Sequence, residues 1–182
     1  MEFIKQKVDK LFLLKPNLFK DKRGSFRRLF CKKTFLKKGI NFKCVQTNIS
    51  ENLKKGTLRG FHFHKSLKKE SKVISCLTGK IFLSVVDLRK KSKTYLSTSS
   101  FILSQKNKNS IYVPTGCASA FLTLENNTVI YYLMSDYYKR DNDKGFNFNS
   151  KILDIRWPLK PSLISKKDQL LPDLQRIVEG SK

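Results

Sequence analysis

Short apolar runs bounded by turn-forming residues constrain the fold of this chain more than any other feature. The runs KVISCL, KIFLSVVDL, SSFILS, SIYVP and TVIYYLM are rich in β-branched and aromatic residues. Turn signals separate them at Thr78-Gly79, at residues 90–93 and 106–109, and at Asn126-Asn127. Many short strands at this spacing predict an all-β sandwich or barrel and not a series of βαβ units.

The two ends of the chain extend this pattern. Strand signals also occur around Ile4 and within residues 11–14 and 42–47. After Trp157-Pro158 the composition changes, and a loop followed by one short helix near residues 172–179 is predicted. A length of 182 residues is enough for one domain with a sizeable core, so a single domain over residues 1–182 is expected.

The charge is the most extreme feature of the composition. Lys and Arg total 38 against 14 Asp and Glu, a formal net charge of +24. Such a charge attracts nucleic acid, anionic lipid or phosphorylated small molecules. The basic residues are scattered from end to end, however, and neither a basic helix nor a stacking motif of the RNA-recognition type occurs. We therefore expect no nucleic-acid partner.

The N-terminus and the cysteines predict a cytoplasmic protein without membrane contact. The first ten residues, MEFIKQKVDK, contain no apolar core of a secretory signal, and no apolar run approaches the length of a membrane span. Four cysteines, Cys31, Cys44, Cys76 and Cys117, lie far apart and form no CxxC pair. They are expected to be reduced thiols and not zinc ligands.

Both histidines of the chain lie in one short stretch, GTLRGFHFHK, at His62 and His64. Positions i and i+2 of a strand share a face, so the two rings should point the same way. Three interpretations compete. The pair forms part of a metal site, His64 is a partly buried residue that satisfies a backbone group, or His62 is an acid/base catalyst.

The spacing argues against a metal site. Metal-binding cupins combine an HxH pair with a later glutamate and with a third histidine after a PxG turn. Here Glu70 lies slightly too far along the chain, and the position of the third histidine, after the turn at 114–116, is Ser119. A tight zinc or iron site needs three or four ligands in fixed geometry, so no metal is expected.

Acid/base catalysis needs more than one side chain. Beside the base His62, the chain offers Lys72 to stabilise an anion, Tyr132 as a proton donor and Asp168 as an orienting acceptor. Each has a structural explanation of its own, as a solvated lysine, a core tyrosine and an aspartate in a surface loop. Only their combination favours catalysis.

That combination, within seven motifs in order, resembles the dTDP-4-dehydrorhamnose 3,5-epimerase family of cupin-type enzymes. The resemblance covers residues 11–172, and its most specific motif is GTLRGFHF. The other motifs are KDKRGSF, VQTNIS, SKVISCLTGKIFLSVVDLRKKSKTY, VPTGCASAF, YYLMSDYYKRDNDKG and a WP ending followed by SKKDQLLP. It implies a double-stranded β-helix, the jelly-roll barrel of cupins, and usually a homodimer.

The resemblance also implies a reaction and its residues. A nucleotide-diphospho-4-keto-6-deoxysugar would lose a proton from C3 or C5 to give an enolate and regain it on the opposite face, with no cofactor. His62 would be the base, Asp168 its partner, Lys72 the enolate stabiliser and Tyr132 the acid. The implied substrate-binding residues are Arg23, Gln46, Asn48, Arg59, Ser119, Tyr138 and Asp143, with Arg23 and Arg59 on the diphosphate.

Strict strand alternation places Arg59 on the face opposite to His62, and a bulge at Gly60 would bring both to the same face. The sequence also departs from the family pattern at Arg28, Leu83 and Ser119, where the family carries glutamate, aspartate and histidine. These changes leave open the nucleotide, the sugar and the carbon that is inverted.

Two alternatives remain open. The stretch from Arg59 to Lys65 is similar to the RGxHAHK motif of sugar-nucleotide 3,4-ketoisomerases, in which His64 would be catalytic too. A catalytically inactive cupin that only binds a sugar nucleotide is the other.

Overall fold

The computed structural model describes residues 1–179, so the last three positions of the predicted domain lie outside the described residues. Two large antiparallel sheets dominate the described chain. The first sheet, in spatial order, contains β1 (Glu2–Lys5), β2 (Phe12–Lys15), β10 (Ser110–Val113), β7 (Lys72–Thr78), β12 (Thr128–Met134) and β5 (Gln46–Asn52).

The second sheet carries the histidine-bearing strand near its edge. It contains, in spatial order, β13 (Asp143–Gly145), β6 (Thr57–His64), β11 (Cys117–Thr123), β8 (Lys80–Asp87) and β9 (Thr98–Ser104), and the short β14 (Leu163–Ile164) pairs with β6 in parallel. A separate hairpin joins β3 (Leu18–Asp21) to β4 (Gly24–Arg27).

Helices are short. They are α1 (Lys32–Leu36), a 3-10 turn at Arg140–Asn142, α2 (Lys166–Gln169) and α3 (Leu174–Glu179). The predicted C-terminal helix is therefore present as α3. Two local expectations were wrong. Asp168 lies in α2 and not in a surface loop, and residues 42–45 are not in a strand, because Phe42 packs into a cluster with Phe35.

The core forms where the inner faces of the two sheets meet. Ile74, Ile111 and Ile130 of the first sheet pack against Leu83 and Val85 of the second. Alternate residues of these strands point away from that interior, as the period of two requires. This arrangement confirms the all-β jelly-roll prediction, and it leaves one end of the space between the sheets unfilled.

The outer face of the second sheet is covered by the C-terminal segment. Phe61 of β6 stacks on Phe146 with ring centroids 4.7 Å apart, and Trp157 and Leu174 belong to the same apolar cluster. This cover brings the chain back along β6, and α2 consequently reaches the end of the second sheet that carries the histidines.

Candidate active site

A cavity of about 480 Å³ opens between the two sheets. Strands β5, β7 and β12 of the first sheet form one wall, and β6, β8 and β11 of the second form the other. The cavity is lined by ten of the eleven site residues predicted from the sequence: Gln46, Asn48, Arg59, His62, Lys72, Ser119, Tyr132, Tyr138, Asp143 and Asp168.

A bulge in β6 is what brings Arg59 and His62 to the same cavity. The partner of Arg59 on β11 is Phe121 and the partner of His62 is Ser119, so β6 uses one residue more than β11 over this interval. Gly60 has φ +105°, and a Cβ on it would lie 2.6 Å from the backbone oxygen of Ser119. The bulge expected at Gly60 is therefore present, and glycine is the residue that fits it.

His62 lies between two carboxylates. Its Nε2 is 3.1 Å from Oδ1 of Asp168, and its Nδ1 is 3.3 Å from Oδ1 of Asp143. Burial by itself lowers the pKa of His62, but the two carboxylates outweigh burial and the net shift of this pKa is upward. The arrangement favours the imidazolium, which is the form that a histidine base adopts after it has taken a proton.

Asp168 is held from several sides. Its side chain is 5% exposed, its Oδ2 accepts the N–H of Gly60 at 3.1 Å, and its own N–H donates to Oγ of Ser165 at the start of α2. Burial raises the pKa of this carboxyl, but His62 and the Gly60 N–H lower this pKa by more, so the net shift is downward. Asp168 is thus a rigid, ionised partner for His62.

Asp143 is tied to a lysine that the sequence analysis did not select. Nζ of Lys167 donates to Oδ2 of Asp143 at 2.5 Å, and Lys167 also lines the cavity. Burial raises the pKa of Asp143, but His62 and Lys167 together lower it well below its usual range. Lys167 is adjacent to Asp168 in a lysine-rich stretch, and nothing in that stretch distinguishes it from a solvated lysine.

The opposite wall carries Lys72 and Tyr132. Nζ of Lys72 lies 2.8 Å from Oε1 of Glu70, and both side chains are mostly buried. Burial is the main effect that raises the pKa of Tyr132, and the charge of Glu70 acts in the same direction. Tyr132 therefore stays protonated at neutral pH. Glu70, which the sequence analysis had weighed only as a metal ligand, acts here as the partner of Lys72.

The wall formed by β5 is polar because every second residue of this strand faces inward. Gln46, Asn48 and Ser50 line the cavity. Nε2 of Gln46 donates to Oδ1 of Asn48 at 2.9 Å, and Oε1 of Gln46 accepts the N–H of Tyr138 at 2.9 Å. The second contact fixes the tyrosine-bearing segment at the mouth of the cavity.

His64 points into the same cavity as His62, as the strand period predicts. Its Nδ1 is 2.9 Å from the N–H and 3.0 Å from the carbonyl oxygen of Ser66. Its Nε2 lies 3.7 Å from Oδ2 of Asp136. The contact with Ser66 is the backbone contact expected if His64 is a partly buried residue that satisfies a backbone group.

Two positions that depart from the family pattern also face the cavity. Ser119 pairs with His62 across β6 and β11, and Leu83 is fully buried on β8. Their side chains leave this part of the wall less polar than aspartate and histidine would make it.

Arg23 is the predicted site residue that does not line the cavity. It lies in the turn between β3 and β4, where its side chain is 90% exposed and its Nη2 is 2.6 Å from Oδ2 of Asp21. Phe19 and Phe26 of the same hairpin are each 64% exposed.

Three further observations bear on the predicted chemistry. All four cysteines are free, as expected. Within residues 1–179 no cluster of three or more His, Cys, Asp and Glu side chains is arranged to hold a metal ion. None of the helices described has the length and apolar character needed to cross a membrane.

Comparisons with known proteins agree with the site. The profile of the dTDP-4-dehydrorhamnose 3,5-epimerase family matches residues 5–176. A curated protein of that name from Methanothermobacter thermautotrophicus is 33% identical over 170 residues, which cover 92% of this chain and 91% of the relative.

Solved structures agree as well. The epimerase of that name from Bacillus anthracis, with TDP and PPi bound, is 38% identical with a TM-score of 0.91, over 94% of this chain and 98% of that one. The dTDP-6-deoxy-D-glucose-3,5-epimerase from Legionella pneumophila, in complex with dTDP-4-keto-L-rhamnose, is 31% identical with a TM-score of 0.91, over 97% and 94% of the two chains. This chain therefore belongs to the dTDP-4-dehydrorhamnose 3,5-epimerase family.

Proposed function

We propose that the protein epimerises a nucleotide-diphospho-4-keto-6-deoxysugar at C3, C5 or both, through an enolate. The observation that carries this proposal is the placement of a base and an acid on opposite walls of one cavity. His62 lies on β6 of the second sheet, and Tyr132 lies on β12 of the first. A sugar ring between them loses a proton to one wall and gains a proton from the other, which inverts the carbon.

The substrate's own ketone makes the abstraction feasible. The 4-keto group acidifies the hydrogens on C3 and C5, and the electrons left by the departing proton move onto the ketone oxygen. Lys72 stabilises the resulting enolate oxygen electrostatically. Glu70, 2.8 Å from the Lys72 ammonium, holds that ammonium in place. No cofactor takes part in this scheme.

Asp168 orients His62 and stabilises its protonated form, as the acidic member of a hydrolase triad does. With Nε2 of His62 turned to Asp168, Nδ1 is the nitrogen that accepts the substrate proton. Asp143 stands beside Nδ1 in the free protein. We propose that the Asp143 carboxylate moves away from Nδ1 when substrate enters, while it keeps its contact with Lys167, and that it then contacts the sugar.

The nucleotide end of the substrate is proposed to lie along the polar wall and the mouth of the cavity. Arg59 faces the diphosphate, since a guanidinium can donate two parallel hydrogen bonds to phosphate. Gln46 and Asn48 supply amide groups, and Tyr138 a ring surface, for the nucleoside. The ligands in the two solved relatives, TDP with PPi and dTDP-4-keto-L-rhamnose, support a nucleotide diphosphate here.

We further propose a cytoplasmic homodimer of single-domain chains, without a nucleic-acid partner. The hairpin β3–β4 exposes Phe19 and Phe26, and an isolated two-stranded hairpin is only marginally stable in water. A second copy would cover these rings and bring Arg23 to the partner's cavity, where it could bind the diphosphate. A sedimentation mass of one chain at assay concentrations would contradict the dimer.

The test of the activity is isotope exchange in D₂O. Incubated with dTDP-, CDP-, GDP- and UDP-linked 4-keto-6-deoxysugars, the protein should incorporate deuterium at C3, C5 or both with at least one of them. A ketone that moves from C4 to C3 would show the ketoisomerase activity. Bound ketosugars that all retain protium would show the inactive binding protein.

A further inference from the structure

We infer that Asn52 is a positioning residue that fixes the guanidinium of Arg59 for a diphosphate. This inference rests on the proposed function, because it assigns a role to a residue behind the proposed diphosphate-binding side chain. Asn52 ends β5 in the first sheet and is 3% exposed. Arg59 lies on β6 in the second sheet, and its side chain lines the cavity.

A single hydrogen bond joins the two residues. Nε of Arg59 donates to Oδ1 of Asn52 at 2.9 Å. The bond crosses from one sheet to the other. It anchors the guanidinium of a long and flexible side chain to the end of β5. The two terminal nitrogens of Arg59 lie beyond this anchor, and Arg59 lines the cavity.

The amide of Asn52 cannot turn over without losing contacts. Its Nδ2 donates to the carbonyl oxygens of Ser50 at 3.0 Å and of Thr128 at 3.2 Å. Carbonyl oxygens only accept, so the NH₂ group must face them and Oδ1 must face Arg59. Neighbouring backbone therefore determines the orientation of the acceptor that meets the guanidinium.

The anchor is neutral, which matters for binding an anion. Among residues 1–179 no carboxylate oxygen lies within 4.0 Å of the Arg59 guanidinium, whereas Arg23 and Arg89 are both paired with aspartates. An asparagine holds Nε in place without cancelling the charge of the guanidinium. Nη1 and Nη2 are left free to donate together to one phosphate. Asn52 thus combines a fixed geometry with an uncompensated positive charge.

The test compares ligands that do and do not carry a diphosphate. Titration calorimetry would measure the dissociation constants of dTDP, inorganic pyrophosphate and thymidine for wild type, Asn52→Ala, Arg59→Ala and the double variant. Thr128→Val is the matched control. Thr128 is buried beside Asn52, and this change removes its side-chain hydrogen bond to the carbonyl oxygen of Glu125 but keeps the Thr128 carbonyl.

We expect Asn52→Ala to weaken dTDP and pyrophosphate binding by roughly 2- to 13-fold, the range for one lost hydrogen bond. Thymidine binding and the Thr128→Val control should stay within about twofold of wild type. In the Arg59→Ala background, Asn52→Ala should change the affinity for dTDP no further, because the group it positions is gone. In turnover, the KM of the ketosugar nucleotide should rise more than kcat falls.

Asn52→Asp is the second variant, and it keeps the shape of the side chain. It should also weaken dTDP, because an aspartate pairs with the Arg59 charge. The inference is wrong if Asn52→Ala and Asn52→Asp both bind dTDP as wild type does. It is also wrong if thymidine binding weakens as much as dTDP binding, or if Asn52→Ala still weakens dTDP binding in the Arg59→Ala background. Failure of the proposed function looks different, since wild type would then bind neither dTDP nor pyrophosphate and would exchange no deuterium.

Discussion

Oδ1 of Asp168 lies 3.1 Å from Nε2 of His62, and the other oxygen of the same carboxylate accepts the N–H of Gly60. One carboxylate therefore contacts both the proposed base and the bulge that turns this base into the cavity. The position of His62, its charge state and the local shape of β6 are coupled through Asp168.

This coupling predicts the pH dependence of turnover. The pKa of His62 is raised above its ordinary value of 6.5, and a base acts only when it is neutral. The kcat/KM should therefore rise with pH through an acid limb that lies above 6.5. Asp168→Asn removes one of the charges that raise this pKa, so the limb should move to lower pH while the rate falls by about 100-fold or more.

Asp136→Asn is the matched control for that profile, because Asp136 lies 3.7 Å from His64, whereas the carboxylates that contact His62 are Asp143 and Asp168. It should leave the acid limb in place. An unshifted limb in Asp168→Asn would contradict the assignment of the limb to His62, as would a limb below 6.5 in wild type.

The bulge at Gly60 predicts an effect on stability. In Gly60→Ala, an alanine must adopt φ +105°, and its Cβ would lie 2.6 Å from the backbone oxygen of Ser119. The free energy of unfolding should fall by about 1–3 kcal/mol more than in Gly39→Ala. Gly39 also has positive φ, but a Cβ there has open space. Urea unfolding measures both, and equal losses would show that the close contact is unimportant.

Much of the site could be predicted from sequence because the family resemblance implied its residues, and strand periodicity adds that residues two apart share a face. Gln46 and Asn48 face the cavity together, and so do His62 and His64. The break at Gly60 could be anticipated as well, since Arg59 and His62 cannot otherwise share a face. The choice of these residues needs the resemblance, whereas their shared face needs only neighbours along one strand.

Contacts between distant segments could not be predicted in the same way. The pairing of Lys167 with Asp143 depends on how α2 packs beside β13, and one lysine among many gives no signal of it. Phe42 lies in a segment whose composition predicts a strand, but its ring packs against Phe35 of α1 instead. The role of Asn52 depends on a bond between the two sheets, which no local pattern records.

The proposed role of Tyr132 as the acid predicts that deuterium exchange can be separated from inversion of the sugar carbon. Without the phenol, the base can still remove a proton and return it to the same face. Tyr132→Phe should therefore keep measurable deuterium exchange while inverted product falls by about 100-fold or more. Tyr131→Phe is the control, because Tyr131 packs into the cluster around Phe35 on the other face of β12. Inverted product at the wild-type rate in Tyr132→Phe would assign the acid elsewhere.

The central claim is that His62 is the only base, and single-turnover deuterium exchange tests it most directly. His62→Asn should remove nearly all exchange, since an asparagine amide cannot accept the proton near neutral pH. His64→Gln should cost less than about tenfold, roughly 1.4 kcal/mol of barrier, because His64 contacts the backbone of Ser66 and has no role in the proposed proton transfer. If His64→Gln loses as much exchange as His62→Asn, or if His62→Asn retains the wild-type rate, the account is contradicted.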